Sequence, residues 1–226
     1  MSFTVDTHGS DVARLSRRLA NPLTGEGASF ARFFPEYAYV IVASGFRAAT
    51  AARLSGALVQ AAPGGYEEMI SVFGNRAKVG ALAEVWQIGA SDDWPAFAGR
   101  ALADVDALET HLPRIGPTVK YHLGRNLGLT RDVAKPDVHM MRLAEEAGWT
   151  SVQALCEAVT RALDDDEWQT WLATAASAAG GSDEVETTSG RLGPCVGLVD
   201  FALWVYLSHR RGVVDPACCH GVLTLR

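Results

Sequence analysis

The sequence contains no C-x-x-C pair, no apolar run of membrane-spanning length and no long stretch of strand-like alternation. Each absence removes a class of protein. Without roughly 18 consecutive apolar residues no transmembrane helix is expected. Without C-x-x-C, the four cysteines Cys156, Cys195, Cys218 and Cys219 match no metal-finger spacing, and adjacent Cys218 and Cys219 are poorly placed to share one tetrahedral metal. Buried, reduced thiols are expected, with no metal and no cofactor; the roles of Cys218 and Cys219 stay open. The polar stretch Met1 to Ser10 lacks the basic and apolar regions of a secretory signal, so the expectation is a cytoplasmic protein, nucleoid-associated if bacterial. Excess positive charge is also missing. A net charge of −6 argues against a protein that coats nucleic acid indiscriminately, because such affinity comes from many phosphate contacts.

What is present is a local reversal of that charge. From Leu112 to Arg142 there are six basic residues (Arg114, Lys120, Arg125, Arg131, Lys135, Arg142) against two acids (Asp132, Asp137), a balance of +4 that leaves −10 for the remainder. One basic face on an acidic body is the reading. The length of 226 residues suits one large domain or two lobes on a shared core.

The chain reads as a succession of helices, and the class is all-α. Met1 to Gly27 is punctuated by Gly, Asn and Pro around one amphipathic stretch, Asp11 to Leu19, and reads as peripheral. Phe30, Phe33, Phe34, Tyr37 and Tyr39 follow, as a core wall or as a pocket that stacks a flat ligand. An apolar segment through Val42 halts at Ser44-Gly45-Phe46-Arg47 and resumes at Ala48 to Ala62, which puts Phe46 and Arg47 at a helix boundary. Short helices are expected over Tyr66 to Phe73 and Arg76 to Ile88, then one near Trp94-Pro95 capped by Asp92 or Asp93. One helix is expected over Ala101 to His111. Val119, Leu123 and Leu127 recur every four residues and define the next, with Lys120 and Arg125 off that face. Asp137 is placed as an N-cap ahead of a helix burying Met141, Leu143, Ala144 and Ala147 and ending at Gly148. Thr150-Ser151 opens a helix to about Leu163. The acidic run Asp164 to Glu167 starts another over Trp168 to Ala179, Gly180 to Gly193 is a polar loop, and Pro194 to Arg211 is an apolar closing helix containing Asp200.

Two motifs stand out. Leu112-Pro113-Arg114-Ile115-Gly116-Pro117-Thr118 reads as a helix end, a tight hairpin and a helix start, with Pro117 where its missing N–H costs nothing and with backbone N–H groups suited to a phosphate. Twenty-one residues beyond Gly116, Lys135-Pro136-Asp137-Val138-His139 brings a carboxylate to the start of a new helix. The pair resembles the helix-hairpin-helix (HhH-GPD) base-excision DNA glycosylases, the superfamily of endonuclease III and the alkylpurine glycosylases. The family hairpin reads roughly L-P-G-[IV]-G, and its loop ends in an aspartate commonly followed by x-H. Ser44-Gly45-Phe46, Gly74-Asn75-Arg76-Ala77-Lys78 and Val199-Asp200 to Trp204 match other parts more loosely, so the resemblance spans about Pro35 to Arg211.

The resemblance implies a two-lobed helical fold with its active-site cleft between the lobes. Residues 1–34 would be a peripheral segment, 35–211 the glycosylase-like core and 212–226 a tail. It implies a monomer that flips a damaged or modified base from double-stranded DNA and hydrolyses the glycosidic bond. Asp137 would be catalytic. Arg114, Ile115, Gly116, Thr118, Lys120, Arg125, Lys135, His139, Phe46 and Arg47 would contact DNA, with Phe46 as the wedge filling the space of the flipped base. Three departures qualify this. Arg114 replaces the hairpin's first glycine; Thr118 stands where lyase-type members carry a nucleophilic lysine, leaving only Lys120 to substitute; and the iron–sulfur ligands of some members have no counterpart. A monofunctional enzyme is expected. Asp200 reads as structural ahead of catalytic. The same residues also fit a non-catalytic DNA-binding module in which Asp137 is a helix cap, or a helical interaction protein that never touches DNA.

Overall fold

A computed structural model of the chain describes residues 3–6, 9–163, 166, 168, 193–210 and 222–225. Among them are the α-helices α1 (Gly9–Ala20), α2 (Phe30–Ala43), α3 (Ala48–Ala61), α4 (Gly65–Val72), α5 (Arg76–Gly89), α6 (Trp94–Ala101), α7 (Val105–His111), α8 (Val119–Leu127), α9 (Val138–Glu146), α10 (Val152–Ala162) and α11 (Val196–Arg210). The all-α class stands, with one small exception. β1 (Phe3–Asp6) pairs antiparallel with β2 (Val222–Leu225), Phe3 opposite Leu225. Phe3-Thr4-Val5-Asp6 does alternate, but four residues are too few to register as a strand, and part of the expected 212–226 tail is therefore a strand. The expected helix over 168–179, the acidic start at 164–167, the loop over 180–193 and Cys218 and Cys219 lie wholly or largely outside the described residues.

The chain divides into two units, one of Met1–Asn21 with Thr130–Arg226 and the other of Pro22–Leu129. In the Pro22–Leu129 unit α2 is central, packing on α3, α5 and α8. Its aromatic face makes the core: Phe33, Phe34 and Tyr37 are fully buried, and Phe30 packs on Trp86 and Trp94 with centroids 5.5 and 4.9 Å away. The core-wall alternative for these residues is thus the one realised. Trp94 satisfies its indole N–H on Ala28 O at 2.6 Å, as a buried tryptophan must.

In the other unit α11 is the hub, contacting α1, α9 and α10. Leu15 and Leu19 of α1 are buried in this core beside Leu198, Val199 and Ala202, so the N-terminal segment is structural and not peripheral. Cys156 and Cys195 are buried here as free thiols, and burial pushes both thiol pKa values up. They are inert at neutral pH.

Three local expectations are corrected. Ala101 to His111 is not one helix: α6 stops at Ala101, and Asp104 caps α7 by accepting the Ala107 N–H at 2.8 Å. Asp93 sits at the α6 cap position, but its side chain accepts no capping bond. In α9 the buried methionine is Met140, with Ala144 below it, while Met141 is 56 % exposed. Ala144 and Leu143 pack on the core as expected, and Met140 takes the place expected of Met141.

α11 begins against the chain that leads to Asp137. Gly197 N–H donates to Arg131 O at 3.0 Å, and a Cβ at Gly197 would stand 1.8 Å from Thr130 O. Backbone there cannot yield cheaply. Gly197→Ala is expected to cost about 1–3 kcal/mol in urea-melt stability, as overpacking of a tight contact does; a parent-like melt would show that the approach is looser.

Candidate functional site

The hairpin between α7 and α8 is pinned from inside. Leu112 and Ile115 are each 4 % exposed within the core of their unit, and the buried Tyr37 hydroxyl donates to Pro113 O at 2.8 Å. The chain between these anchors must reverse in a few residues. It does so at Arg114, whose φ of +60° lies in the left-handed region that favours glycine. This is the position at which the family pattern has glycine. The exposed guanidinium is carried on a backbone bend that a side chain opposes by about 1–2 kcal/mol.

α8 follows at once. Lys120 N–H donates to Gly116 O at 3.0 Å, so Pro117 occupies the first turn, where a missing N–H is harmless. Thr118 and Val119 sit in the same turn, where N–H groups have no intrahelical acceptor, and the Thr118 side chain makes no cap. With Gly116 they form a concentrated set of backbone donors. Ile115, by contrast, contributes through burial, and its N–H already turns back to Leu112 O at 3.4 Å.

Lys120 is not a free cation. Its Nζ lies 2.7 Å from Asp106 Oδ1 and 2.7 Å from Glu109 Oε2, both on α7. Hydrogen bonds to Asp106 and Glu109 raise its pKa above the ordinary lysine value. The structure therefore gives Lys120 a clamping role across the hairpin and leaves it a poor substitute for a lyase nucleophile. Arg125 is half-buried near the end of α8.

The second expected contact region is the α2–α3 turn. Gly45 takes φ +104°, and Phe46 stands out at 42 % exposure, with Arg47 exposed beside it. An ordinary core phenylalanine is excluded. Beneath the turn lies a residue that the sequence reading left out of the site. Lys78 is 8 % exposed, donates from Nζ to Val42 O at 3.2 Å and to Ser44 O, and stands 5.5 Å from the Phe46 ring centroid. Burial, and after it the nearby charge of Arg114, lowers the Lys78 pKa. The hairpin and the Phe46 turn both belong to the Pro22–Leu129 unit.

Asp137 belongs to the other unit. It caps α9 as expected, and one oxygen does the capping: Oδ1 accepts the His139 and Met140 N–H groups at 2.9 and 3.0 Å. Oδ2 faces Lys135 Nζ at 3.9 Å, and the side chain is 13 % exposed. The loop that delivers it is tied down by Gln153 of α10, which accepts from Ala134 N–H at 2.8 Å and donates to Asp132 O at 3.0 Å. Sequence reading missed Gln153, because a lone glutamine on a helix carries no signal of a partner some twenty residues earlier. His139 is half-buried, and Val138 and Met141 expose apolar surface on α9 beside the carboxylate. Asp200 is 4 % exposed within α11, and its charge adds to the upward shift of the Cys156 pKa. Among the described residues no group of three or more His, Cys, Asp or Glu side chains could hold a metal ion. No helix there is long and apolar enough to cross a membrane.

Two substitutions test the hairpin. Arg114→Gly relieves the left-handed strain, offset in part by a more flexible unfolded chain, and should raise stability by up to about 1 kcal/mol in denaturant melts; a loss would show that the guanidinium holds the bend. Lys120→Met should lower the melting temperature at neutral pH. Because the folded pKa is raised, the lysine's contribution is complete below 10.5 and fades as pH climbs beyond it, so the deficit should narrow only in that alkaline range. Comparison of the chain with models of known protein families, with curated proteins and with solved structures finds no match.

Proposed function

We propose that the protein is a monofunctional DNA glycosylase of the helix-hairpin-helix kind, acting on a damaged or modified base in duplex DNA. The observation that carries the reading is the division of labour in the Asp137 carboxylate. Oδ1 is spent on the α9 cap, while among the described residues Oδ2 has no partner closer than the 3.9 Å contact with Lys135. A carboxylate so held is fixed in place, as a group that meets developing positive charge must be.

Each part then has its own task. The Gly116, Thr118 and Val119 N–H groups, with the Arg114 guanidinium, grip backbone phosphate. Extruding a base costs roughly a few kcal/mol, and Phe46 fills the vacated space. As the bond between C1′ and the base nitrogen breaks, its electron pair leaves with the base and C1′ becomes cationic. Asp137 stabilises that charge and orients the water whose oxygen bonds to C1′, as carboxylates do in other oxocarbenium reactions. Thr118 offers no amine, and the Lys120 ammonium is held by two carboxylates, so no Schiff base forms. Alkylated purines fit best among substrates, since a cationic base already leaves readily.

One observation favours a second reading. Asp137 is a complete N-cap by itself, which suits a DNA-binding module without catalysis. Asp137→Asn separates the two, because asparagine caps equally well. Duplexes carrying single lesions are incubated with protein and then treated with alkali, with borohydride trapping in parallel. The parent should yield breaks only after alkali and no trapped adduct, and Asp137→Asn should cut base release by roughly 100-fold or more at unchanged duplex affinity. Unchanged release would remove Asp137 from the mechanism; binding without release on every duplex would leave the non-catalytic module; no binding even at low salt would leave an interaction protein.

A further inference from the structure

Lys78 is the one described lysine buried to 8 % exposure, and no described carboxylate forms an ion pair with it. Burying an ammonium in this way is costly unless something answers the charge. The answer is the α2–α3 turn. Val42 O and Ser44 O, at the C-terminal end of α2, accept from Nζ, and a helix C-terminus favours a cation. The face of Phe46 lies 5.5 Å from the same nitrogen, where the ring quadrupole attracts it. The ring is held on another side by Phe73, edge-on at 5.7 Å and 73°. Phe46 still keeps 42 % of its surface exposed.

We propose that Lys78 is a positioning residue that holds the α2–α3 turn and the Phe46 ring in the raised orientation needed for insertion between base pairs. The proposal rests on the glycosylase reading. A wedge must enter the stack while neighbouring bases tend to close over the gap, and a turn built around Gly45 at φ +104° could otherwise collapse onto the surface. Tying two carbonyls and the ring to one ammonium settles that orientation before DNA arrives, so its entropy is not lost again at binding. Lys78 itself touches no DNA in this scheme.

The test compares Lys78→Met, which keeps length and apolar bulk, with Phe46→Ala and the double variant in the full chain. In the free protein, p-fluorophenylalanine at position 46 reports the ring by its fluorine resonance. With duplexes carrying 2-aminopurine beside the lesion, fluorescence reports unstacking, and single-turnover base release reports chemistry. Lys78→Met should shift or broaden the fluorine resonance while the fold persists. It should reduce the 2-aminopurine rise and slow release by roughly tenfold to a hundredfold, as small misplacements do. Duplex affinity, set by phosphate contacts, should hold, and the double variant should be no worse than Phe46→Ala alone. An unchanged resonance, or parent-like unstacking by Lys78→Met, would overturn the role of Lys78 while the glycosylase reading stands. A parent that neither unstacks nor releases a base from any duplex would overturn the wedge and the glycosylase reading together, whatever the resonance shows.

Discussion

The bond from the Tyr37 hydroxyl to the Pro113 carbonyl is the constraint from which the rest of the Pro22–Leu129 unit's candidate surface follows. Tyr37 is fully buried and stacks on Phe33 at 5.7 Å, so its hydroxyl must find an acceptor inside the protein. Pro113 O is that acceptor, at 2.8 Å. Burial, reinforced by Glu84, raises the phenol pKa, so the hydroxyl stays a donor at any ordinary pH. With Pro113 fixed and Leu112 and Ile115 inserted on either side, the chain has no room for a wide loop. The left-handed bend falls on Arg114, and α8 starts immediately after it. An aromatic core helix thus dictates the shape of a surface hairpin.

Three cations in that unit show how placement decides what a charge can do. Lys120 is matched by two carboxylates of α7 and joins the helices on either side of the hairpin. Lys78 is answered by carbonyls and a ring, and its charge is spent on the α2–α3 turn. Arg114 is exposed, and its field reaches both Tyr37 and Lys78. Of the three it is the one whose side chain faces solvent to meet an anion. The local excess of basic residues from Leu112 to Arg142 therefore overstates the positive surface: one cation is neutralised, and the run is shared between two units.

Periodicity and caps made most helices legible. Asp137 and Ser151 mark boundaries where the structure has them, because a cap is a local interaction between residues two or three apart. The failures share a cause as well. Leu102, Val105 and Leu108 are all buried, so their spacing conceals the break that Asp104 makes between α6 and α7. Met140 and Met141 are identical to any hydropathy reading, and only packing selects Met140 for the core. At the candidate site, the hairpin and Asp137 were visible as motifs. The partners that decide side-chain roles were not, since Lys120 meets residues 11 and 14 positions away and Lys78 meets carbonyls 34 and 36 positions away.

Asp137 shows why a capping residue and a catalytic carboxylate need not be alternatives. A carboxylate has two oxygens, and an N-cap needs one. When both capping bonds fall on Oδ1, the two N–H groups stop the group's rotation, while among the described residues Oδ2 keeps its lone pairs for another partner. Lys135 at 3.9 Å is too distant to consume them. The Gln153 tether and the Gly197 contact fix the preceding loop, so the cap is a rigid mount. The structural role is then what supplies the fixed charge that catalysis would require.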